Sequence, residues 1–321
     1  MKKIFTILAL AATLASCAKE DIISIDRQEI AFGDTFVDNA TRADYSTGSL
    51  EEFYVYGTVT GTAGTVNIFD GDKVTKEKKA DSDIGDTGTW WYAAADAQYW
   101  IPGADYDFAA IVDATVATED TNGMPLTLTT QADSAMNLKD MLYATATATV
   151  NENGTPSANP VAFTFAHLLS KAHFTVTSNA TGGYYHTVTG IKIANFESGT
   201  YTIANDSWAG GDAKDVVFAE IANVTSADAK GKSNAAMLLV PNADTFNVTF
   251  TVELWNNKGN DDATDDVKLG TETITKAVET DLLKGNAYNF TIDCKVGNPI
   301  TFSVTNSGDI GWATQPDIPI Q

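Results

Sequence analysis

Alternation with a period of two residues runs through most of this chain, and that pattern dictates strands. In Phe246-Asn247-Val248-Thr249-Phe250-Thr251-Val252-Glu253-Leu254 the apolar residues fall on one face and Asn, Thr, Thr and Glu on the other. Successive side chains of a strand point to opposite sides, so this is the signature of a half-buried strand. Tyr288, Phe290, Ile292, Cys294 and Val296 repeat it, with Asn289, Thr291, Asp293 and Lys295 outward. That register places Cys294 on the buried face as a small hydrophobe. Further strands are expected at 53–59, 106–112, 141–149, 161–165, 172–177, 188–193, 216–218, 237–240 and 300–304. Gly, Asn, Asp and Pro clusters separate them, notably at 151–160, 179–183 and 256–266. Helical periodicity is nearly absent; only the stretch 136–142 offers a helical turn. Many short strands with turns between them predict an all-β chain built of β-sandwiches.

The 321 residues leave room for one large or two medium domains. The run from Val161 to Val176 reads as two strands meeting at a pivot near Leu168, which predicts two sandwiches, 43–168 and 169–321. Ahead of them lies a different kind of segment. Lys2 and Lys3 precede an apolar run, 4–14, that is too short to span a bilayer and reads as a signal peptide occupying 1–16. Leu14-Ala15-Ser16-Cys17 has the small-residue spacing of a bacterial lipobox, so Cys17 is the expected lipidation site. Acyl chains contribute about 0.8 kcal/mol per buried methylene, and more than one gives stable anchoring. The expectation is an exported protein tethered to a membrane by its first mature residue.

Charge narrows the partners. With 42 acidic against 20 basic residues the net charge is −22, which lacks the basic footprint that nucleic acid or an anionic membrane surface requires. There are two cysteines, and lipidation of Cys17 would leave Cys294 without a disulfide partner. Stability then rests on packed cores.

Arginine is placed unevenly. Arg27 and Arg42 are the only two, and every basic residue after them is lysine. An arginine-specific protease would therefore cut the Arg42-Ala43 bond and find no target in the body of the protein. The segment it would remove, 17–42, is itself strand-like, with alternating pairs at Ile23 and Ile25 and at Ile30 and Phe32. If this segment completes the first sandwich, its loss exposes an apolar groove edged by unpaired backbone groups, a template for another chain. A replacement strand burying four or five apolar side chains gains on the order of 6–15 kcal/mol before ordering costs. The other end of the chain supplies candidates: Ile300, Phe302 and Val304 alternate, followed by Ile310 and Trp312. Residues 300–304 read equally well as a native strand of the second sandwich.

Catalytic motifs are missing. His167, His173 and His186 stand in no nucleophile or metal pattern, and His167 and His173 read as polar residues packed near the join. There is no G-x-S-x-G, H-E-x-x-H or Gly-rich phosphate loop. The acidic loop from Asn260 to Asp266 lacks the ordered spacing and glycine of a calcium loop and reads as a solvated hairpin tip, as does Asp70-Gly71-Asp72. Trp90, Trp91, Tyr92, Tyr99 and Trp100 could form a sugar-stacking platform, but aromatic-rich strands more commonly fill sandwich cores. No enzyme, metal or cofactor is expected.

Taken in order, four stretches resemble the fimbrillins, the subunits of type V fimbriae in Bacteroidales. They are the lipobox 14–17; Thr41-Arg42-Ala43 ahead of Leu50-Glu51-Glu52-Phe53-Tyr54-Val55-Tyr56-Gly57; the run 163–176; and Leu282-Leu283-Lys284-Gly285-Asn286-Ala287-Tyr288-Asn289-Phe290-Thr291-Ile292 with the terminal stretch 300–312. The resemblance implies two tandem transthyretin-like β-sandwich domains after a lipoprotein signal peptide and N-terminal propeptide. It implies Cys17 as lipid site, Arg42-Ala43 as cleavage bond and 17–42 as propeptide. Lys19-Glu20-Asp21 resembles the lysine-plus-acidic signal that sends such lipoproteins to the cell surface. The implied partners are other fimbrial subunits, an arginine-specific protease, the outer membrane through the lipid anchor, and a host or bacterial surface ligand. The alternative is a monomeric surface lipoprotein that binds glycan or a host protein.

Overall fold

The structure, a computed structural model, describes residues 28–37, 49–80, 83–85, 90–133, 135, 137–258 and 263–306. Strands make up most of the described residues. The first eight are β1 (Phe32–Val37), β2 (Glu52–Gly61), β3 (Gly64–Thr75), β4 (Asp105–Val112), β5 (Ala114–Glu119), β6 (Pro125–Thr130), β7 (Leu142–Thr149) and β8 (Val161–His167). Then come β9 (Ser170–Ser178), β10 (Tyr184–Phe196), β11 (Gly199–Thr202), β12 (Ser207–Gly210), β13 (Ala213–Val217) and β14 (Ile221–Val224). The last are β15 (Lys232–Ser233), β16 (Met237–Leu239), β17 (Phe246–Asn256), β18 (Val267–Val278), β19 (Ala287–Cys294) and β20 (Thr301–Asn306). Among the described residues the only helices are three 3₁₀ turns of three residues each. Among the described residues of 136–142 no helical turn is formed: Leu138 is bridged to Ala132 and β7 begins at Leu142.

The first core is a sandwich. Strands β7, β4, β2 and β3 pair antiparallel as one layer. β8 meets β7 at two residue pairs only and then carries β1, in parallel, over the core. The alternation of β8 is complete: Val161, Phe163, Phe165 and His167 are buried while Ala162, Thr164 and Ala166 are exposed. Gly57 in β2 fits this core by having no side chain. A Cβ there would lie 3.0 Å from the Phe108 ring and 3.1 Å from the Phe69 ring.

Between His167 and Ser170 the chain leaves these sheets for another pair. β9 lies between β15 and β19, with β20 beyond β19; β10 lies between β13 and β17, with β18 beyond β17. The two sheets close over Phe174, Phe246, Phe250 and Phe290, each at most 4% exposed. Cys294 is fully buried in this core, and burial pushes its thiol up to about 12.

A third sheet joins the halves. The β5–β6 hairpin from the first half pairs with β11 from the second, and β12 completes the order β12-β11-β6-β5. Beneath it Ile111, Leu128, Met141, Leu168, Leu169, Tyr201 and Leu238 form a third apolar cluster.

Candidate functional site

The stretch 28–37 is seated in the first core. Ile30 and Phe32 have no exposed surface and Val37 is 5% exposed, whereas Phe36 points outward. Fully burying side chains of this kind contributes about 1.5–3 kcal/mol each. Phe32 sits inside a box of five rings: Phe53, Phe69, Tyr92, Phe108 and Phe163, with centroids 5.5 to 6.1 Å away. Four contacts are edge-to-face and Phe163 is stacked, the arrangements favoured by the ring quadrupole.

Backbone bonds hold the stretch on both flanks. On one side the Val161 amide donates to the Ala31 carbonyl at 2.7 Å, and the Asn159 side-chain oxygen accepts the Ala31 amide at 3.1 Å. On the other side the Ile30 amide donates to Gln98 O, the Trp100 amide to Gln28 O, and the Trp90 amide to Phe32 O. The Tyr92 hydroxyl, buried, donates to Ile30 O at 2.7 Å. Burial raises the Tyr92 phenol above its ordinary value, so it stays protonated and acts as donor. The same short segment ties the far end of the layer, because Trp91 and Thr75 exchange two backbone bonds of 2.8 Å. Residues 90–100 thus form a strap linking β1 to β3. Taking β1 away would leave a closed slot, lined by rings below and by hydrogen-bonding groups on both sides.

This geometry assigns the aromatic group named from the sequence. Trp90, Tyr92 and Trp100 are at most 5% exposed and line the first core, leaving Trp91 half-buried and Tyr99 37% exposed. They do not make a flat exposed platform. Asn159 and Gly57, central to the slot, were not singled out from the sequence, because a single Asn in a turn cluster and a single Gly in a strand carry no distinguishing pattern.

Of the C-terminal candidates, Phe302 and Val304 lie on β20, which pairs antiparallel with β19 along six residues at the sheet edge. Val304 is buried, and Phe302 is half-buried, 5.6 Å from the Phe250 ring and 6.0 Å from the Phe290 ring. Ile300 packs against the same core just ahead of β20. Cys17, Arg42, Ala43, Ile310 and Trp312 lie outside the described residues.

Each histidine is buried. His167 Nδ1 is 3.0 Å from Asp140 Oδ1, with both side chains 1% exposed, at the end of β8 beside the third cluster. His173 is buried on β9, and His186 Nδ1 lies 2.8 Å from the Ser178 hydroxyl. Among the described residues no group of three His, Cys, Asp or Glu side chains is placed to hold a metal ion. An open cleft of about 640 Å³ near the join is lined by Glu51, Glu52, Tyr54, Asp113 and Lys139 among others. Lys139 pairs with Asp113 at 3.0 Å there.

The family model described as fimbrillin-like matches residues 41–307, and the chain belongs to that family. The match begins just beyond the end of β1. Among solved structures the chain is similar to a fimbrial protein from Bacteroides vulgatus ATCC 8482, at 16% identity and a TM-score of 0.62, covering 89% of this chain and 100% of that one. Two further similar structures have lower scores. One is the fimbrial anchor protein Mfa2 from Porphyromonas gingivalis, at 9% identity and TM-score 0.41, covering 90% and 99%. The other is a fimbrial assembly protein from Parabacteroides distasonis ATCC 8503, at 12% and 0.44, covering 90% and 100%. At such identities the first likeness establishes the β-sandwich fold. No curated protein matches the chain.

Proposed function

We propose that this chain is a structural subunit of a cell-surface fimbria, made as a precursor lipidated at Cys17, cut at Arg42-Ala43 and polymerised by β-strand exchange. The observation that carries the reading is the burial of Phe32 among five rings, on a strand bonded along both flanks and standing ahead of Arg42. A strand that completes a core from outside the body of the chain is a removable part, and its removal makes a binding site. Membership of the fimbrillin-like family supports the same role. The two sandwiches are taken as 43–168 and 169–321, and the donor strand as the C-terminal stretch that carries Ile300, Phe302, Val304, Ile310 and Trp312. Partners are other fimbrial subunits and an arginine-specific protease, with the outer membrane holding the precursor through its lipid. A surface ligand on host or bacterial cells is the target such a fibre would meet.

The alternative of a monomeric glycan-binding lipoprotein relied on exposed rings at 90–100, and the burial of Trp90, Tyr92 and Trp100 weighs against it.

Digestion of the folded precursor with an arginine-specific protease tests the proposal. A single product starting at Ala43, followed by filaments, is the expected result. Ragged internal cleavage, or a processed chain that stays monomeric at high concentration, overturns it.

A further inference from the structure

We propose that Arg27-Gln28 is a second site for the arginine-specific protease, closed while β1 is seated and opened only when β1 leaves the core. This rests on the processing reading above and fixes the order of the cuts: Arg42-Ala43 first, Arg27-Gln28 afterwards.

The two arginines bracket β1. Arg27 directly precedes Gln28, and Arg42 stands five positions beyond Val37. An arginine-specific enzyme therefore has two bonds to choose from, and the fold distinguishes them. A protease takes its substrate as an extended strand, held through backbone N–H and C=O groups as in strand addition. On the far side of Arg27 those groups are already engaged. Gln28 O accepts the Trp100 amide at 3.0 Å, the Ile30 amide donates to Gln98 O at 2.9 Å, and Ile30 O accepts the Tyr92 hydroxyl at 2.7 Å. Between them Glu29 is bridged to Tyr99. The Gln28 and Glu29 side chains are exposed, so the shield is made of backbone pairing and begins at the first residue after the arginine. Ile30, two residues on, has no exposed surface. To be cut here the chain must give up these bonds and draw Ile30 out of the core, and such cleavage follows the population of the opened form.

Arg42 is placed differently. Residues 38–41 separate it from the end of β1, so an enzyme can hold the stretch ahead of that bond without competing for any bond of the seated strand. The first cut is thereby directed to Arg42-Ala43.

The order matters for assembly. A first cut at Arg27 would free the body from the lipid at Cys17 with β1 still filling the first core, giving a detached subunit with no slot to offer. The strap closes that route, so the covalent tether is lost only through the cut that lets β1 go. The second cut then separates 28–42 from the lipidated stub. A strand kept on the membrane stays at high effective concentration near the subunits it has left, whereas a free peptide does not. Cleavage at Arg27 thus hinders the return of β1.

A time course of digestion of the full precursor with an arginine-specific protease, read by mass spectrometry, tests the order. The body 43–321 should appear first and the peptide 28–42 later. A body of 28–321 should stay at least about tenfold scarcer than 43–321, since cleavage at Arg27 waits on the rare opened form. Build-up of 28–321 at a rate near that of 43–321 overturns the shield, and an excised piece that stays whole up to Arg42 overturns Arg27 as a site; processing at Arg42 stands in both cases. An uncut Arg42-Ala43 bond overturns both readings. Arg42→Lys removes the competing bond, and in that background Arg27 should stay intact over the time in which the parent is processed. Adding Tyr92→Phe, which deletes the hydroxyl bond to Ile30 O and keeps the ring, should speed the cut at Arg27 at least about fivefold, because a buried carbonyl loses its partner. Adding Phe32→Ala instead should speed it further. Equal rates in the three chains would exclude β1 as the shield.

Discussion

The Phe32 ring stacks on Phe163 with centroids 5.9 Å apart and 25° between the planes. One ring stands on β1 and the other on β8, so the first core is closed by a residue that precedes the whole of the first sheet layer. This dependence of a core on a ring carried outside its own sheet order is what gives the opening segment its importance.

Replacing Phe32 by Ala should destabilise the precursor by about 3–5 kcal/mol, the usual range for emptying a buried aromatic site. Urea denaturation of the precursor measures this. Once cut at Arg42-Ala43, mutant and parent chains are identical, so their stabilities should coincide. A stability difference that survives cleavage would mean that the opening segment is retained.

Gly57→Ala places a methyl group 3.0 Å from the Phe108 ring and 3.1 Å from Phe69. Both rings also border Phe32 and cannot swing freely. Overpacking of this kind costs about 1–3 kcal/mol. The thermal midpoint of the precursor should fall, and Ser or Ala placed at exposed Gly61, where a Cβ meets nothing within 4 Å, should have little effect.

Acid should weaken the second core through His186. Burial lowers its pKa below the ordinary 6.5, while the unfolded chain titrates at that ordinary value. Between the two values the unfolded state binds more protons, so stability is complete above about pH 6.5 and falls as pH drops toward the folded value. His186→Asn should flatten this part of the curve, read from thermal midpoints at pH 7.5 and 5.5. An unchanged slope would assign the acid sensitivity elsewhere.

Surface ion pairing should matter little. Lys284 and Asp206 form an ion pair, and the Tyr201 hydroxyl donates to Asp206 at 2.6 Å. The Lys284 bond comes first among the causes that hold the Asp206 carboxyl below its ordinary range. Asp206 is largely exposed, so Asp206→Asn should cost no more than about 1 kcal/mol by chemical denaturation.

Strands with one buried face were legible in the sequence. The expected alternation at 246–254 appears within β17, that at 288–294 within β19, and that at 161–165 within β8. β18 leaves little trace in the sequence, because 11 of its 12 residues are not buried and Thr, Lys and Glu fill both faces, leaving no period to detect. β3, β5 and β6 escaped for a related reason: bulges and exposed threonines break their alternation. The importance of Ile30 and Phe32 could be suspected from their spacing. Their partners could not, since Asn159 and Tyr92 are 128 and 62 positions away from the backbone groups they bind. The third sheet was invisible for the same reason, because its β6–β11 pairing is made by residues of different halves.

Bonding on both flanks also governs how a seated strand gives way under tension. At the margin of a sheet, a strand pulled from one end peels away one bond after another. A strand gripped between β8 and the strap, and pulled along its length, meets resistance from the row of bonds at once, while its ring is wedged below. β1 is thus fastened in shear rather than by a peelable edge.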